Sequence, residues 1–519
     1  MTSPSALCAA LGAAARTVLG LTLAGTLVAT APVRAAATNP TEPADPAVPA
    51  AGEHDDVIAR AGRILEGGDG AHARVDATLA LRDVFLARPT MDFFDGLLAD
   101  GLLARPTDGR ADRAGDGYRG PAGRRCAEDV CVHYARTGAD APEDGRWVRR
   151  TLRVLARTWH HEIGTLGFRP PPTDGRRGGD GRFDVYLADL GDRGLFGYCT
   201  PERRAPGERF VASGYCVLDD DFAREQYVAR PSASLRVTAA HEFFHAIQFG
   251  YDFREDPWLL ESTATWVEER VADGADDNRR YLRYGTVHRP GIPLDRFTSD
   301  SYAHYGSWAF WELLTHEHGD RVVREVWRRA DSRGNAPDEY SVQALDRVLA
   351  DHGGLRRALT SYAVANLAPR RAYDEGAAWP SARVDERRAL VPGRRRTSPL
   401  VVRLDHLSAH HAVLRPEDTA RGARLRVAVD GPRAATSPAA VLVVRRRDGD
   451  WTRERVRLDG RGDGSARVRF GPGVRSVVVT LVNGSTRYRC GDVSDYACGG
   501  ESRDDRRRFR VSLRLAGGG

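Results

Sequence analysis

Lysine is absent from this 519-residue chain, so all 77 of its basic residues are arginine. Together with abundant Ala, Gly, Asp and Pro, that bias reads as the codon usage of a GC-rich genome. The arginines are interleaved with 71 acidic residues, and the formal charge is only +6. No stretch carries the concentrated basic face of a nucleic-acid-binding domain, so no nucleic-acid partner is expected. Long apolar runs are missing as well. Beyond the N-terminus nothing approaches the roughly 18 apolar residues of a membrane-spanning helix, so no membrane association is expected of the mature chain. CxxC spacing and strong internal repeats are also lacking, and without them a cysteine-zinc module is not expected. What remains is an ordinary globular composition, 41% apolar and 29% charged. At about 150 residues per domain the length suits two or three domains.

The N-terminus reads as a signal peptide over residues 1–36. Arg16 supplies the positive region, Val18–Ala31 the apolar run, and Ala35, Ala36 and Ala37 the small residues for cleavage. The mature protein is therefore expected to be secreted and extracellular. Cysteine usage points the same way. Cys8 leaves with the signal, and the other six fall in close sequential pairs: Cys126 with Cys131, Cys199 with Cys216, and Cys490 with Cys498. An even count outside the cell favours disulfides, and pairing neighbours closes the shortest loops.

Residues 37–56 are rich in Pro and Ala and read as a flexible linker. Helical patterns such as Leu79, Leu81, Val84 and Phe85 mark 57–120 as a helical N-terminal region or a pro-segment. From 121 to 375 strands and helices mix. Short strands are expected at Cys131–Arg136, Phe183–Leu187 and Tyr215–Leu218, and helices at Trp147–Ile163, Leu235–Phe249, Glu261–Val271 and His304–Glu317. From 398 to 516 the texture becomes alternating apolar strands separated by Gly/Asp turns, the pattern of a β-sandwich. The fold class expected is multidomain α+β.

The informative segment is His241-Glu242-Phe243-Phe244-His245. On a helix, residues i and i+4 share a face, so both imidazoles reach one cation, with Glu242 placed beside the first as general base. Downstream, Trp258-Leu-Leu-Glu261 opens a second helix after Pro257. Two His, one Glu and an open position make a catalytic zinc site, one Zn²⁺ per chain.

HEFFH followed by WLLESTATWVE resembles the gluzincin metallopeptidases, and the wider span from Cys131 to Arg329 resembles secreted bacterial proteins of metalloprotease type. The resemblance implies a gluzincin-like zinc peptidase domain in which His241, His245 and Glu261 hold the metal. It also implies that Glu268, seven residues beyond Glu261, orients a ligating imidazole. In gluzincins a downstream Tyr or His stabilises the oxyanion, which points to Tyr305, then Tyr302 and His304. The segment between His245 and Glu261 is 15 residues, 246 to 260, shorter than is usual in that family. No Gly-x-Met-Glu-Asn signature is present, so the implied activity is that of an endopeptidase acting on protein or peptide substrates.

Two rival readings use the same residues: a secreted cell-surface or glycan-binding protein with a vestigial zinc fold, its work done by the C-terminal domain, and a zinc hydrolase of a non-peptide amide. Ca²⁺ is a further candidate at Asp219-Asp220-Asp221 or in the Asp174–Asp184 loop, although neither has EF-hand spacing and solvated turns are the plainer expectation. His160-His161-Glu162 reads as an exposed helical patch.

Overall fold

Five short strands, of which the inner three are buried on both faces, build the central layer. They are β1 (Ala122–Ala127), β2 (Val130–Ala135), β3 (Phe183–Ala188), β4 (Gly197–Arg204) and β5 (Ala212–Asp219), in the order β1-β2-β3-β5-β4. The inner pairs β2–β3 and β3–β5 are parallel and both edges are antiparallel. The computed structural model describes residues 51–67, 77–111, 117–392, 398–491 and 494–516. The expected signal segment and most of the linker lie outside them.

Successive side chains of a strand point to opposite faces, so each face of this sheet needs a cover. Tyr186, Tyr198, Tyr215 and Val217 are buried under the N-terminal helices α1 (Ala51–Leu65), α2 (Ala77–Ala87) and α3 (Phe93–Leu102). Val185, Leu187 and Leu218 pack on the other side, in one core with α4 (Gly145–Trp159) and α5 (Pro231–Asp252). α1 begins at Ala51, so the last six residues of the expected linker are helical.

The N-terminal region is thus a structural layer of the α+β body. Arg105 adds an electrostatic tie. Its guanidinium, 2% exposed, donates to Asp174 at 2.6 Å, Asp184 at 2.7 Å and Glu202 at 2.6 Å. The cation facing the Asp174–Asp184 loop is therefore an arginine, so these carboxylates are buried ion partners and not the solvated turn expected there. Removing one partner of a buried ion cluster costs about 3–5 kcal/mol, so losing this region as a pro-segment would strip both a charge partner and an apolar cover.

Six further helices follow: α6 (Pro257–Ala272), α7 (Ala303–Gly306), α8 (Trp308–His318), α9 (Arg321–Arg329), α10 (Ser341–Leu349) and α11 (Leu355–Ala365). The continuous helix expected from His304 is broken between Gly306 and Trp308.

Nine of the remaining strands form two sheets around one apolar core. β6 (Glu386–Leu390), β8 (Ser408–Pro416), β10 (Pro438–Arg446), β11 (Trp451–Val456) and β13 (Val474–Asn483) make the sheet β11-β10-β13-β8-β6. β7 (Leu400–Leu404), β9 (Arg424–Asp430), β12 (Asp463–Arg469) and β16 (Arg507–Ala516) make the sheet β12-β9-β16-β7. Leu414, Leu442 and Val477 of the first meet Val427, Val511 and Leu513 of the second. β6 moves the sandwich's start to Glu386, ahead of the expected 398. β14 (Tyr488–Arg489) and β15 (Glu501–Ser502) form a small ribbon.

All three expected disulfides are present. Cys126–Cys131 and Cys199–Cys216 join directly opposed residues of antiparallel pairs, and Cys490–Cys498 closes the loop after β14. That last loop reaches the site-bearing helix, because Cys498 N–H donates to Asp256 at 2.7 Å, immediately before α6. Nearby, His406 bridges Asp295 at 3.0 Å and Asp505 at 2.5 Å, while the Tyr488 hydroxyl donates to Asp295 at 2.8 Å. Burial opposes a charge on His406, but the two carboxylates outweigh it and push the imidazole up to about 10. No helix among the described residues is long and apolar enough to cross a membrane.

Candidate metal centre

α5 and α6 have almost no polar face, because both are buried on nearly every side. From Leu235 onward nearly all of α5 is buried, as is all of α6 from Trp258 to Glu269. Proline at the first turn starts each helix without loss of a hydrogen bond. Such helices belong in interiors, and any polar side chain on them requires a partner.

His241 and His245 share one face of α5, ring centroids 4.8 Å apart. Glu261 meets them from α6, fully buried, with Oε2 3.3 Å from His241 Nε2 and Oε1 3.7 Å from His245 Nε2. One ligand atom from each residue lies within 4.8 Å of the others.

The opposite edge of each imidazole is also held. His241 Nδ1 lies 2.7 Å from Glu268 Oε1, and His245 Nδ1 lies 2.7 Å from Gln248 Oε1. The Gln248 amide in turn donates to Leu260 O at 2.9 Å and Thr263 Oγ1 at 3.1 Å. With both Nδ1 atoms engaged outward, both Nε2 atoms face the shared position.

The residues fit a divalent metal. His245 Nε2 is buried and makes no hydrogen bond. Burial, then the charge of His241, hold His245 well below the usual imidazole range, in the neutral form that ligates. Burial also opposes a charge on His241, yet Glu261 and Glu268 raise it well above that range. The pocket is cation-seeking, and two imidazoles with one carboxylate are the donor set of a three-ligand zinc site.

Glu242 is 4% exposed and lines a cleft of about 550 Å³ beside this triad. Its Oε2 accepts from Thr78 Oγ1 at 3.0 Å, and that hydroxyl accepts from Cys199 N–H at 2.9 Å. α2, from the N-terminal layer, thus touches the candidate base.

The far wall is aromatic. Tyr305 has its ring 6.1 Å from that of His241 and stacks on Tyr281 at 4.9 Å. Tyr302 and Tyr284 complete the wall, and Arg280 donates to the Tyr281 hydroxyl at 2.6 Å. His304 lies behind Tyr305, packed between it and Phe297. It is 1% exposed, and burial, then the charge of His241, lower it to about 3.

Gln248, Thr78 and Tyr281 are absent from the sequence-based set. Gln248 had a signal, since it lies seven residues from His241 and three from His245 on the same helical face. Thr78 had none.

Two other expectations change. Glu162 is fully buried, in a π-helical turn over His160–Thr165, rather than on an exposed patch. Asp219 is also buried instead of solvated, and its two oxygens accept four backbone N–H groups, from Leu190, Gly191, Asp221 and Phe222. It clamps two loops together.

No protein-family model matches the chain, and no curated protein matches its sequence. Among solved structures, three likenesses are slight. The Aeromonas hydrophila periplasmic inhibitor of g-type lysozyme, PliG, is 10% identical over 25% of this chain and 98% of its own, with a TM-score of 0.15. The CBM22-1–GH10 modules of Clostridium thermocellum xylanase 10B are 10% identical over 19% of this chain and 18% of theirs, at 0.12. The GH115 4-O-methyl-α-glucuronidase BtGH115A is 8% identical over 55% and 38%, at 0.14. Likenesses at this level carry no argument about what the chain does.

Proposed function

We propose that this chain is a secreted zinc-dependent metallopeptidase of gluzincin type that cleaves internal peptide bonds. The observation that carries the reading is the convergence of His241, His245 and Glu261, with Nδ1 of each imidazole fixed by Glu268 or Gln248. A chance histidine pair would not have both outer edges held by acceptors in a dry interior.

Zinc held by these three residues would supply Lewis acidity and a water activated near neutral pH. Glu242 accepts the proton of the attacking water and returns it to the leaving amine nitrogen. Thr78, by donating to Oε2, fixes the rotamer of Glu242 beside the triad. Tyr305, held by its stack on Tyr281, donates its hydroxyl to the oxygen on which charge develops. The tyrosine wall and the buried triad exclude bulk water from the reacting atoms.

Purified protein is expected to hold about one zinc per chain by elemental analysis and to digest a peptide library in a chelator-sensitive manner. His241→Ala, His245→Ala and Glu261→Ala are each expected to empty the site. Full zinc occupancy in all three variants defeats the assignment.

A further inference from the structure

β10 reads Pro438-Ala-Ala-Val-Leu-Val-Val-Arg-Arg, and Arg447 follows it. Its apolar part is buried on both faces, with Leu442 and Val444 toward the sandwich core and Val441 and Val443 toward α11. Where the strand runs out from beneath α11, valine gives way to arginine.

Register carries the same change across the sheet. Val443 opposes Val478, Val478 opposes Val413, and Val413 opposes Arg387 on β6. One step along that face stand Arg445, opposite Ser476, and Arg415, two residues beyond Val413. Arg370 and Arg371, from the segment after α11, face them across a cleft of about 470 Å³, with Arg475 at its rim.

Eight arginines line this cleft, and no Asp or Glu lines it among the described residues. Among the described residues, Arg446 alone of the eight has a carboxylate at ion-pairing distance, the exposed Asp448 at 3.1 Å. Buried and half-buried arginines elsewhere, such as Arg105 and Arg329, are met by carboxylates. Codon bias explains why the basic residues are arginines. It does not explain why these lack acids.

Arg445 is half-buried, its guanidinium 4.3 Å from the Trp451 ring and its Nε without a hydrogen bond. Burial and neighbouring Arg475 lower it to about 10. A like-charged cluster held against an indole in a concave site is a preorganised anion receptor, because guanidinium groups meet carboxylate and sulfate in bidentate pairs.

The shape selects among polyanions. Single-stranded nucleic acid sites stack bases on aromatic rings, but Arg371 and Arg445 both lie over Trp451. Trp379 is buried against Tyr373 and Trp308. A concavity of this volume does not admit a duplex. An acidic sugar chain, with sulfates or carboxylates on successive rings, needs neither stacking nor a flat face. We infer that this cleft binds a segment of an anionic glycan, independently of the chemistry at the metal centre.

Calorimetry on the full chain tests this with a heparin-derived tetrasaccharide, cellotetraose, tripolyphosphate and an eight-residue thymidine oligonucleotide. The sulfated tetrasaccharide is expected to bind, with affinity falling about tenfold or more between 50 and 200 mM salt. The neutral sugar is expected not to bind, and the oligonucleotide and tripolyphosphate to bind at least tenfold more weakly than the tetrasaccharide. The double variant Arg415→Gln/Arg445→Gln is expected to lose at least tenfold in affinity. Exposed Arg475→Gln, which cannot disturb the core, is expected to lose about threefold. Unchanged affinity in both variants, or thymidine or tripolyphosphate binding as tightly as the tetrasaccharide, overturns the proposal.

Discussion

The two clefts of this molecule obey opposite rules. Around the metal centre the outer edges of the charged and polar groups are answered, while His245 Nε2 faces inward without a hydrogen bond: Glu268 and Gln248 hold the imidazoles, Thr78 holds Glu242, and Arg280 holds Tyr281. Along the edge of the sandwich, arginines crowd together, and one exposed carboxylate outside the lining, Asp448, reaches one of them. The first arrangement suits the proposed hydrolysis, where small displacements would cost rate. The second leaves charge unsatisfied, which favours capture of a partner carrying the opposite sign. The difference predicts how each cleft responds to losing a group.

The largest response belongs to the answered cleft. Glu242→Gln removes the base and no ligand, so peptide hydrolysis is expected to fall about 10³-fold while zinc content stays constant. Equal turnover would place the base elsewhere. Tyr305→Phe is next, with kcat lower by about 10²-fold and KM little changed, as for loss of one oxyanion donor. If Tyr281→Phe behaves that way instead, the stacked pair has been assigned in the wrong order. Gln248→Leu keeps all three ligands but frees the His245 ring, and zinc affinity in a chelator competition is expected to drop about tenfold.

The joint at His406 sharpens the comparison, since its charge is answered but does no chemistry. His406 binds its proton more tightly folded than unfolded, at about 10 against the ordinary 6.5. Its contribution is therefore complete below about pH 6.5 and declines as pH rises toward 10. Between pH 7 and 9 the loss is on the order of 2 kcal/mol, readable as a falling denaturation midpoint. Asp295 and Asp505 are held below the usual carboxylate range despite their burial, chiefly by His406, so acid weakens the joint as well. A flat stability profile from pH 7 to 9 would show that the imidazole is not charged in the folded protein.

Much of this was legible in the sequence where one local pattern suffices. β2, β3 and β5 are apolar runs, α5 and α6 start at prolines, and HEFFH places two candidate ligands on one face by helical spacing alone. Strands whose side chains are polar escaped notice: β1 is Ala-Gly-Arg-Arg-Cys-Ala, β4 contains Pro201 at a register shift, and β11 carries four exposed residues in a row. Their place is set by pairing with a neighbour, which no local period records. Thr78 escaped for the same reason, since 164 residues separate it from Glu242. The arginine cleft was hidden by averaging. Interleaved with acids along the chain, its arginines become a cluster only when β6, β8, β10 and the segment after α11 come together.

The smallest effect is also the one whose sign separates the clefts. Removing a group from an answered site leaves its partner stranded and destabilises the fold. Arg475 has no carboxylate to strand, and its charge lies near enough to Arg445 to lower that guanidinium's affinity for its proton. Arg475→Gln should therefore relieve repulsion, and because the residue is exposed the gain should be about 0.5 kcal/mol or less. Screening makes a second check possible: the gain should shrink as salt rises, because exposed charges interact weakly beyond a Debye length. Urea denaturation of wild type and variant at 20 and 300 mM salt reads both effects. A variant less stable than wild type at low salt would mean that Arg475 has a partner in the free protein, and the unanswered charge of that cleft would have to be reassigned.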